Sequence, residues 1–206
     1  MWAKCAKLPS NKVIPLGMPR TDSFIGKKKG DGHTLLADKR SYLYVPTFRR
    51  PDEPAQFKLD YNWLDEHLND DELFIVKAHT VGTKLLTKKY KHIIEISSSE
   101  PSSPYLYDCD VVITDYSSII FDGYLLNKPA ILFEKKWGYP SYRGMYMTYP
   151  REYSSRYAMN EQDLLHLARE ASGLTSVEQE CISKLANMCD GHSCERICNL
   201  ITKLNI

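Results

Sequence analysis

The sequence predicts an α/β fold built on a parallel sheet with helical crossovers. Short apolar runs rich in β-branched and aromatic residues alternate with helical patterns through the first two thirds of the chain. Strand, helix and strand in succession imply that consecutive strands run in the same direction. Composition agrees: 206 residues, 43% hydrophobic, 26% charged, with 10 Gly and 11 Pro, describe a folded domain and exclude disorder, collagen and coiled coil.

Taken in order, strands are expected at Lys12–Pro15, Tyr42–Val45, Leu73–Val76, His92–Ile96, Val111–Thr114 and Ala130–Phe133. Gly26–His33, with Lys27, Lys28 and Lys29, reads as an exposed loop joining the first two. Helices are expected near Tyr61–Leu68 and Pro104–Tyr107, and from Ser117 to Leu126, where Ile119, Ile120, Tyr124 and Leu125 supply an apolar face. The pattern then changes to a polar and aromatic stretch, Glu134–Asn160, holding Trp137, Tyr139, Tyr142, Tyr146, Tyr149 and Tyr153. A stretch of that length without a structural pattern marks a functional or covering segment. From Glu161 to Ile206 amphipathic spacing returns at Leu164, Leu165, Leu167 and Ala168, then at Ile182, Leu185, Ala186 and Met188, with a helix stop at Asp190-Gly191. The expected organisation is one domain over residues 1–206: a sheet core at about 12–134, an aromatic loop at 135–160 and a helical tail at 161–206.

Charge narrows the partners. Lys+Arg number 27 against 26 Asp+Glu, a net charge of +1, so no global field gathers nucleic acid. Met1–Lys7 lacks the apolar core of a secretory signal, and no run approaches the roughly 20 apolar residues that span a bilayer. The expectation is a cytoplasmic chain with reduced thiols.

The residues with most chemical content are Thr114-Asp115-Tyr116-Ser117-Ser118 and Asp122. A buried strand stops at polar residues and a helix opens with two serines, which brings hydroxyls and backbone N–H groups to the positive end of a helix dipole. That arrangement suits phosphate. Asp115 or Ser117 serving only as a helix cap is the plain alternative. Two more strand ends point the same way: Tyr42–Val45 leads into Thr47 and Arg49, and Leu73–Val76 into Lys77-Ala78-His79. The planar fork of Arg engages two oxygens of a diphosphate, and His donates to a developing phosphate charge. Open α/β sheets bind ligands at the carboxyl ends of their strands.

Ordered along the chain, Gly17-Met18-Pro19-Arg20-Thr21-Asp22, Tyr44-Val45-Pro46-Thr47-Phe48-Arg49, Lys77-Ala78-His79, Ile113-Thr114-Asp115-Tyr116-Ser117-Ser118 with Phe121-Asp122, Lys128-Pro129, Tyr142-Arg143-Gly144 and Asp190–Arg196 resemble the motifs of the CDP-glycerol glycerophosphotransferase family, the teichoic-acid-type primases and polymerases. The resemblance runs from about residue 13 to the C-terminus. It implies a Rossmann-like parallel sheet with helices on both faces, the C-terminal half of a GT-B glycosyltransferase fold, holding CDP-glycerol. It implies transfer of glycerol phosphate to a polyol-phosphate polymer, a capsular polymer or a lipid-linked primer, with release of CMP. His79 and Arg49 are the implied catalytic residues, and Thr47, Thr114, Asp115, Ser117, Ser118, Asp122 and Arg20 the implied substrate contacts, with no metal and no cofactor. Thr80 stands where the family usually has Pro, and Pro150-Arg151 where a Pro-Gly pair is usual, which leaves CDP-ribitol or a UDP-sugar open as donor. The family's acceptor-binding amino-terminal half, with its second histidine, has no counterpart in these residues, so a partner chain or loss of turnover is expected. A non-catalytic nucleotide-binding module is the reading from another class.

Three further signals are weighed, two of them read as structural. Asp108-Cys109-Asp110 precedes a strand rather than following one and marks a turn. Cys189, His192, Cys194 and Cys198 lack the Cys-x-x-Cys spacing of a zinc site and are expected as buried thiols. Lys84, Lys88, Lys89 and Lys91 form either a solvated face or a contact for an anionic acceptor or lipid surface.

Overall fold

The computed structural model describes residues 7–32, 36, 38–47, 59–77, 86, 88–134 and 148–204. Six strands form its sheet: β1 (Arg40–Tyr44), β2 (Glu72–Lys77), β3 (Ile93–Ile96), β4 (Val111–Thr114), β5 (Ala130–Phe133) and β6 (Tyr157–Ala158). The spatial order is β3-β2-β1-β4-β5-β6, and every pairing is parallel. From β1 the chain builds outward to β3, then returns to lay β4, β5 and β6 on the other side. This is the order of a doubly wound Rossmann sheet, whose switch point lies between β1 and β4.

The helices are α1 (Tyr61–His67), α2 (Ser103–Asp108), α3 (Ile119–Leu125), α4 (Glu161–Glu170), α5 (Ser176–Leu185) and α6 (Ser193–Leu204). Alternation along the strands sorts them. Tyr42, Tyr44, Phe74, Val76, Val111, Ile113, Ile131 and Phe133 pack on one face with Leu64 of α1 and Leu164, Leu165 and Ala168 of α4. Leu43, Ile75, Val112 and Leu132 point to the other face, against Leu106 of α2, Ile120 and Tyr124 of α3 and Cys181 of α5. Both faces of a parallel sheet are buried in this way, which is why the strands read as near-continuous apolar runs. Local caps set the helix starts: the Asp60 carboxylate accepts from Asn62 N and Trp63 N at 3.0 and 3.1 Å, and the Asn160 side chain accepts from Asp163 N at 2.8 Å, each satisfying amides that have no partner inside the helix.

An ion pair between an exposed arginine and a buried carboxylate ties α4 to the sheet. Arg169 forks onto Glu72, with Nε to Oε1 at 2.9 Å and Nη2 to Oε2 at 2.6 Å, while the Tyr42 hydroxyl and Asn69 N also donate to that carboxylate. Burial works against ionisation of Glu72, but the four donors outweigh it and bring its pKa down to about 2.

Lys12–Pro15 is not a strand. Ser10–Lys12 forms a 3-10 turn and the chain continues extended without joining the sheet. Pro15 brings no N–H to a ladder, and the segment is used instead as a strap. The 3-10 helix Pro19–Phe24 at its end presents Asp22 to α6, whose Ser193 N and Cys194 N donate to the carboxylate at 3.0 and 2.7 Å. Chiefly the Cys194 amide, with that of Ser193, holds the Asp22 carboxyl at about 2. Arg196 donates in return to Leu16 O at 3.2 Å. The segment expected as an aromatic loop contains β6, whose two residues pair with Leu132 and Phe133; a strand that short leaves no alternation to detect. Asp190-Gly191 separates α5 from α6 as expected, with Gly191 at φ +92°. Among the described residues, no helix is long and apolar enough to cross a membrane.

Gly17 sits at φ +84°, and a Cβ there would lie 2.1 Å from Met188 O and 2.3 Å from Ser193 Oγ. Gly17→Ala is therefore expected to cost at least about 2 kcal/mol, from the left-handed backbone and the displaced strap together, measurable by urea unfolding. The Glu72 carboxylate stabilises the fold fully above its ordinary value of 4.5 and loses that contribution as pH falls toward about 2. The urea midpoint should accordingly fall between pH 5 and pH 2 with a steeper slope in the native chain than in Glu72→Gln.

Candidate functional site at the sheet switch point

Adjacent parallel strands diverge at the switch point, and the sequence joins them one residue further than the ladder does. Val45 N donates to Ile113 O at 2.9 Å, and the Thr114 hydroxyl donates to Val45 O at 2.6 Å. Beyond them Asp115, itself buried, accepts three hydrogen bonds on Oδ1: from Thr47 N at 2.8 Å, from the Thr47 hydroxyl at 2.5 Å and from Tyr116 N at 2.7 Å. A carboxylate in that position fixes the carboxyl ends of β1 and β4 as one rigid rim.

The chain then turns through Ser117 and Ser118 into α3. That helix starts at Ile119, two residues later than the sequence predicts, because both serines are used in the turn. Ser117 is half-buried and its hydroxyl accepts from Ile119 N at 3.4 Å; Ser118 is exposed at the N-cap position and forms no side-chain cap. Asp115 is thus a strand-to-strand brace rather than a helix cap. Asp122, in the first turn of α3 and buried, pairs with Arg20 of the strap, Nη1 to Oδ2 at 2.6 Å. Burial pushes the Asp122 carboxyl up, and the Arg20 guanidinium partly opposes that. Arg20 keeps half of its side chain exposed.

Sequence reasoning missed a fourth strand end. β5 runs out into Glu134, buried, whose carboxylate accepts the Tyr116 hydroxyl. Tyr149 leans on Tyr116 with ring centroids 4.6 Å apart and donates its hydroxyl to Asp115 O at 3.2 Å. The strand-end rule that singled out Thr47 and Asp115 would have found Glu134 after Ala130–Phe133. Tyr149 had no such signal, since only tertiary structure returns it to the rim.

The structure therefore brings together Thr47, Thr114, Asp115, Ser117 and Ser118, with the Arg20–Asp122 pair at the first turn of α3. Thr114 is fully buried and its hydroxyl is spent on Val45 O, so it holds the rim in place. Arg49, His79 and Thr80 lie outside the described residues, as do Lys84, Trp137, Tyr139, Tyr142, Arg143, Gly144 and Tyr146. Hydroxyls, turn amides and a partly exposed cation at a strand-end crevice are suited to an anionic ligand.

The other singled-out clusters have structural partners. Asp108 Oδ1 accepts from Gly30 N and Gly32 N at 2.8 and 3.1 Å, and Asp110 Oδ2 accepts from Lys29 Nζ and Ser41 N, both at 2.8 Å, so Asp108-Cys109-Asp110 pins the glycine loop to the start of β1. Cys109 and Cys181 are buried, and burial pushes their thiols up to about 12 and about 11. Cys194 and Cys198 are exposed, contrary to expectation. They stand at i and i+4 on α6, which places them on one side of the helix, and that side is exposed at both positions. Lys91 pairs with Asp70 at 2.5 Å, and Lys88 lies 5.0 Å from the Tyr90 ring centroid.

These features define a doubly wound α/β domain of the GT-B type with its candidate site at the switch point. The chain belongs to the CDP-Glycerol:Poly(glycerophosphate) glycerophosphotransferase family, which matches residues 1–203. It is 25% identical over 216 residues to the teichoic acid glycerol-phosphate transferase of Staphylococcus aureus, covering 94% of this chain and 55% of that protein. It is 24% identical to the teichoic acid glycerol-phosphate primase of Bacillus subtilis, covering 99% and 55%. Over 136 residues it is 34% identical to the teichoic acid poly(ribitol-phosphate) polymerase of Bacillus spizizenii, covering 59% and 22%. In fold it is similar to the wall teichoic acid polymerase TagF, with a TM-score of 0.69 at 23% identity over 96% of this chain and 53% of that one. The chain spans about half the length of the S. aureus and B. subtilis relatives.

Asp115→Ala strands the donors of Thr47 and Tyr116 and is expected to destabilise the fold by about 2–4 kcal/mol, whereas Thr47→Val, which removes one donor, should cost about 1 kcal/mol. Chemical denaturation of the two variants measures the difference.

Proposed function

We propose that this chain is the donor-binding half of a CDP-glycerol glycerophosphotransferase that extends a teichoic-acid-like or capsular polymer. The observation that carries the reading is the convergence of Thr47, Asp115 and the Ser117-Ser118 turn at the switch point of a sheet belonging to this family. In this reading the donor diphosphate lies over Ser117 and Ser118. Arg49, on the chain leaving β1, engages diphosphate oxygens with its planar fork, and His79, leaving β2, donates to the charge that develops there. Arg20 and Asp122 brace the start of α3 under the phosphates.

The reaction proposed is in-line displacement. A hydroxyl oxygen of the acceptor attacks the phosphorus next to glycerol, the bond from that phosphorus to the bridging oxygen breaks, and CMP departs with the electron pair. The hydroxyl proton passes to a base on the acceptor-binding half. Such transfers depend on positioning and charge stabilisation, the two services these residues offer. The acceptor is a polyol-phosphate polymer or a lipid-linked primer, and Lys84, Lys88, Lys89 and Lys91 are proposed to meet its anionic chain or an anionic membrane surface. CDP-ribitol is the second donor reading, favoured by the 34% identity to a poly(ribitol-phosphate) polymerase.

A thermal-shift and calorimetric panel of CDP-glycerol, CDP-ribitol, CMP and a UDP-sugar tests this. CDP-glycerol should raise the melting temperature and the UDP-sugar should not. Arg49→Ala and His79→Ala should each weaken CDP-glycerol binding by about 10- to 100-fold, the range for losing a charge-assisted hydrogen bond. Absence of binding by any CDP-polyol sinks the proposal, and binding without turnover in the presence of an acceptor-binding half would leave a non-catalytic module.

A further inference from the structure

On the β5 side the serine turn is flanked by tyrosines. Tyr116 stands between Asp115, the brace, and Ser117, the first residue of the turn. Its side chain crosses from the end of β4 to the end of the neighbouring β5, where its hydroxyl donates to Glu134. Tyr149 packs on that ring, centroids 4.6 Å apart, and donates its hydroxyl to Asp115 O at 3.2 Å. Behind Tyr149 lies Tyr153, centroids 5.9 Å apart, and against Tyr153 lies Phe121 of α3 at 6.2 Å. Tyr153 is buried, and its carbonyl takes the hydroxyl of the buried Tyr124 at 2.8 Å. A row of aromatic rings thus runs from the rim into the core, with its two outer members, Tyr116 and Tyr149, half-buried. Rings that pack on one another and are hydrogen-bonded at their tips do not swing aside cheaply.

Glu134 gives this row its stiffness. A buried carboxylate beside a turn suited to phosphate works against an anionic ligand, so its place there calls for another service. As acceptor of the Tyr116 hydroxyl it forms a charge-assisted hydrogen bond, stronger than a neutral one, and fixes that ring across the strand ends.

A CDP-polyol has two arms on its diphosphate. In the proposed function the diphosphate lies over Ser117 and Ser118, with Arg49 and His79 arriving from β1 and β2. An arm directed toward β5 meets Tyr116 and, against it, Tyr149, so a short arm fits there; the nucleoside, the longer arm, takes the opposite direction. We propose that Tyr116 and Tyr149 form a specificity-determining wall that receives the polyol and limits its length to that of glycerol, with Glu134 as the residue that positions the wall. The inference deepens the donor-half reading and rests on it. Selection of this kind works by a clash with the longer alcohol rather than by added attraction to the shorter one. Ribitol exceeds glycerol by two carbinol units, and a pocket discriminates by about 10- to 200-fold for a single excess methylene.

Isothermal titration of CDP, CDP-glycerol and CDP-ribitol into the native chain, Tyr149→Ala and Glu134→Leu tests the wall. The native chain should favour CDP-glycerol over CDP-ribitol at least about tenfold, and Tyr149→Ala should raise CDP-ribitol affinity by about the same factor. Glu134→Leu, which strips Tyr116 of its acceptor, should shift the ratio in the same direction. Gain of affinity for the longer alcohol is a result that mere loosening of the fold does not produce. Tyr149→Leu, which keeps an apolar side chain against Tyr153, replaces the alanine variant if that variant does not fold. Equal native affinity for the two alcohols, a native preference for CDP-ribitol, or Tyr149 variants that fold and keep the native ratio overturn the wall. A folded Glu134→Leu variant with the native ratio overturns the part given to Glu134. Binding of CDP with an unmoved ratio strikes the wall alone, whereas a native chain that binds neither CDP nor either CDP-polyol refutes the donor reading and the wall with it.

Discussion

The carboxylate of Asp115 is the constraint on which the candidate site depends. In a doubly wound sheet the crossovers leave the switch-point strands on opposite sides, and beyond the Val45 and Thr114 bonds the ladder no longer holds the strand ends together. One buried oxygen taking Thr47 N, the Thr47 hydroxyl and Tyr116 N closes that gap. The serine turn follows directly, and its position relative to β1 is inherited from this brace. Glu134 and Tyr149 extend the same rim to β5 through Tyr116. In the proposed function, a serine turn held this way meets a charged ligand without first reorganising, which favours electrostatic stabilisation.

A second constraint lies away from the crevice. The segment around Gly17–Asp22 and the segment Asp190–Arg196 are far apart in sequence but lock together: a carboxylate caps α6, a guanidinium returns to the strap backbone, and Gly17 lets the two backbones approach. Both segments read as motifs of a functional family. Their contacts are mostly structural, with Arg20 the member that reaches the site. A motif residue such as Gly17 is thus explained by a backbone that admits no Cβ, without any contact to a ligand.

Legibility followed the range of the interaction. Val111–Thr114 and Ala130–Phe133 were readable to the residue because buried parallel strands are continuous apolar runs between polar ends. Thr47, Asp115, Ser117 and Ser118 were readable as strand-end polar residues. Lys12–Pro15 misled because a short run such as Val13-Ile14 looks alike whether or not an edge exists for it to join. β6 was invisible because two residues carry no period, and Cys194 and Cys198 were misplaced because an amphipathic pattern states which face is apolar but not what covers it.

The sequence by itself determined the α/β class, the parallel strands, the polar residues at their ends and the family they belong to, since each is written in local spacing and residue type. Only the tertiary structure decided that β1 and β4 are neighbours, that Asp115 braces rather than caps, that Glu134 and Tyr149 join the rim, and that Ile201 and Leu204 of α6 stay exposed. Those outcomes depend on which distant segments meet, and a buried hydrogen bond or an unmet apolar face exists only once the chain has been brought together.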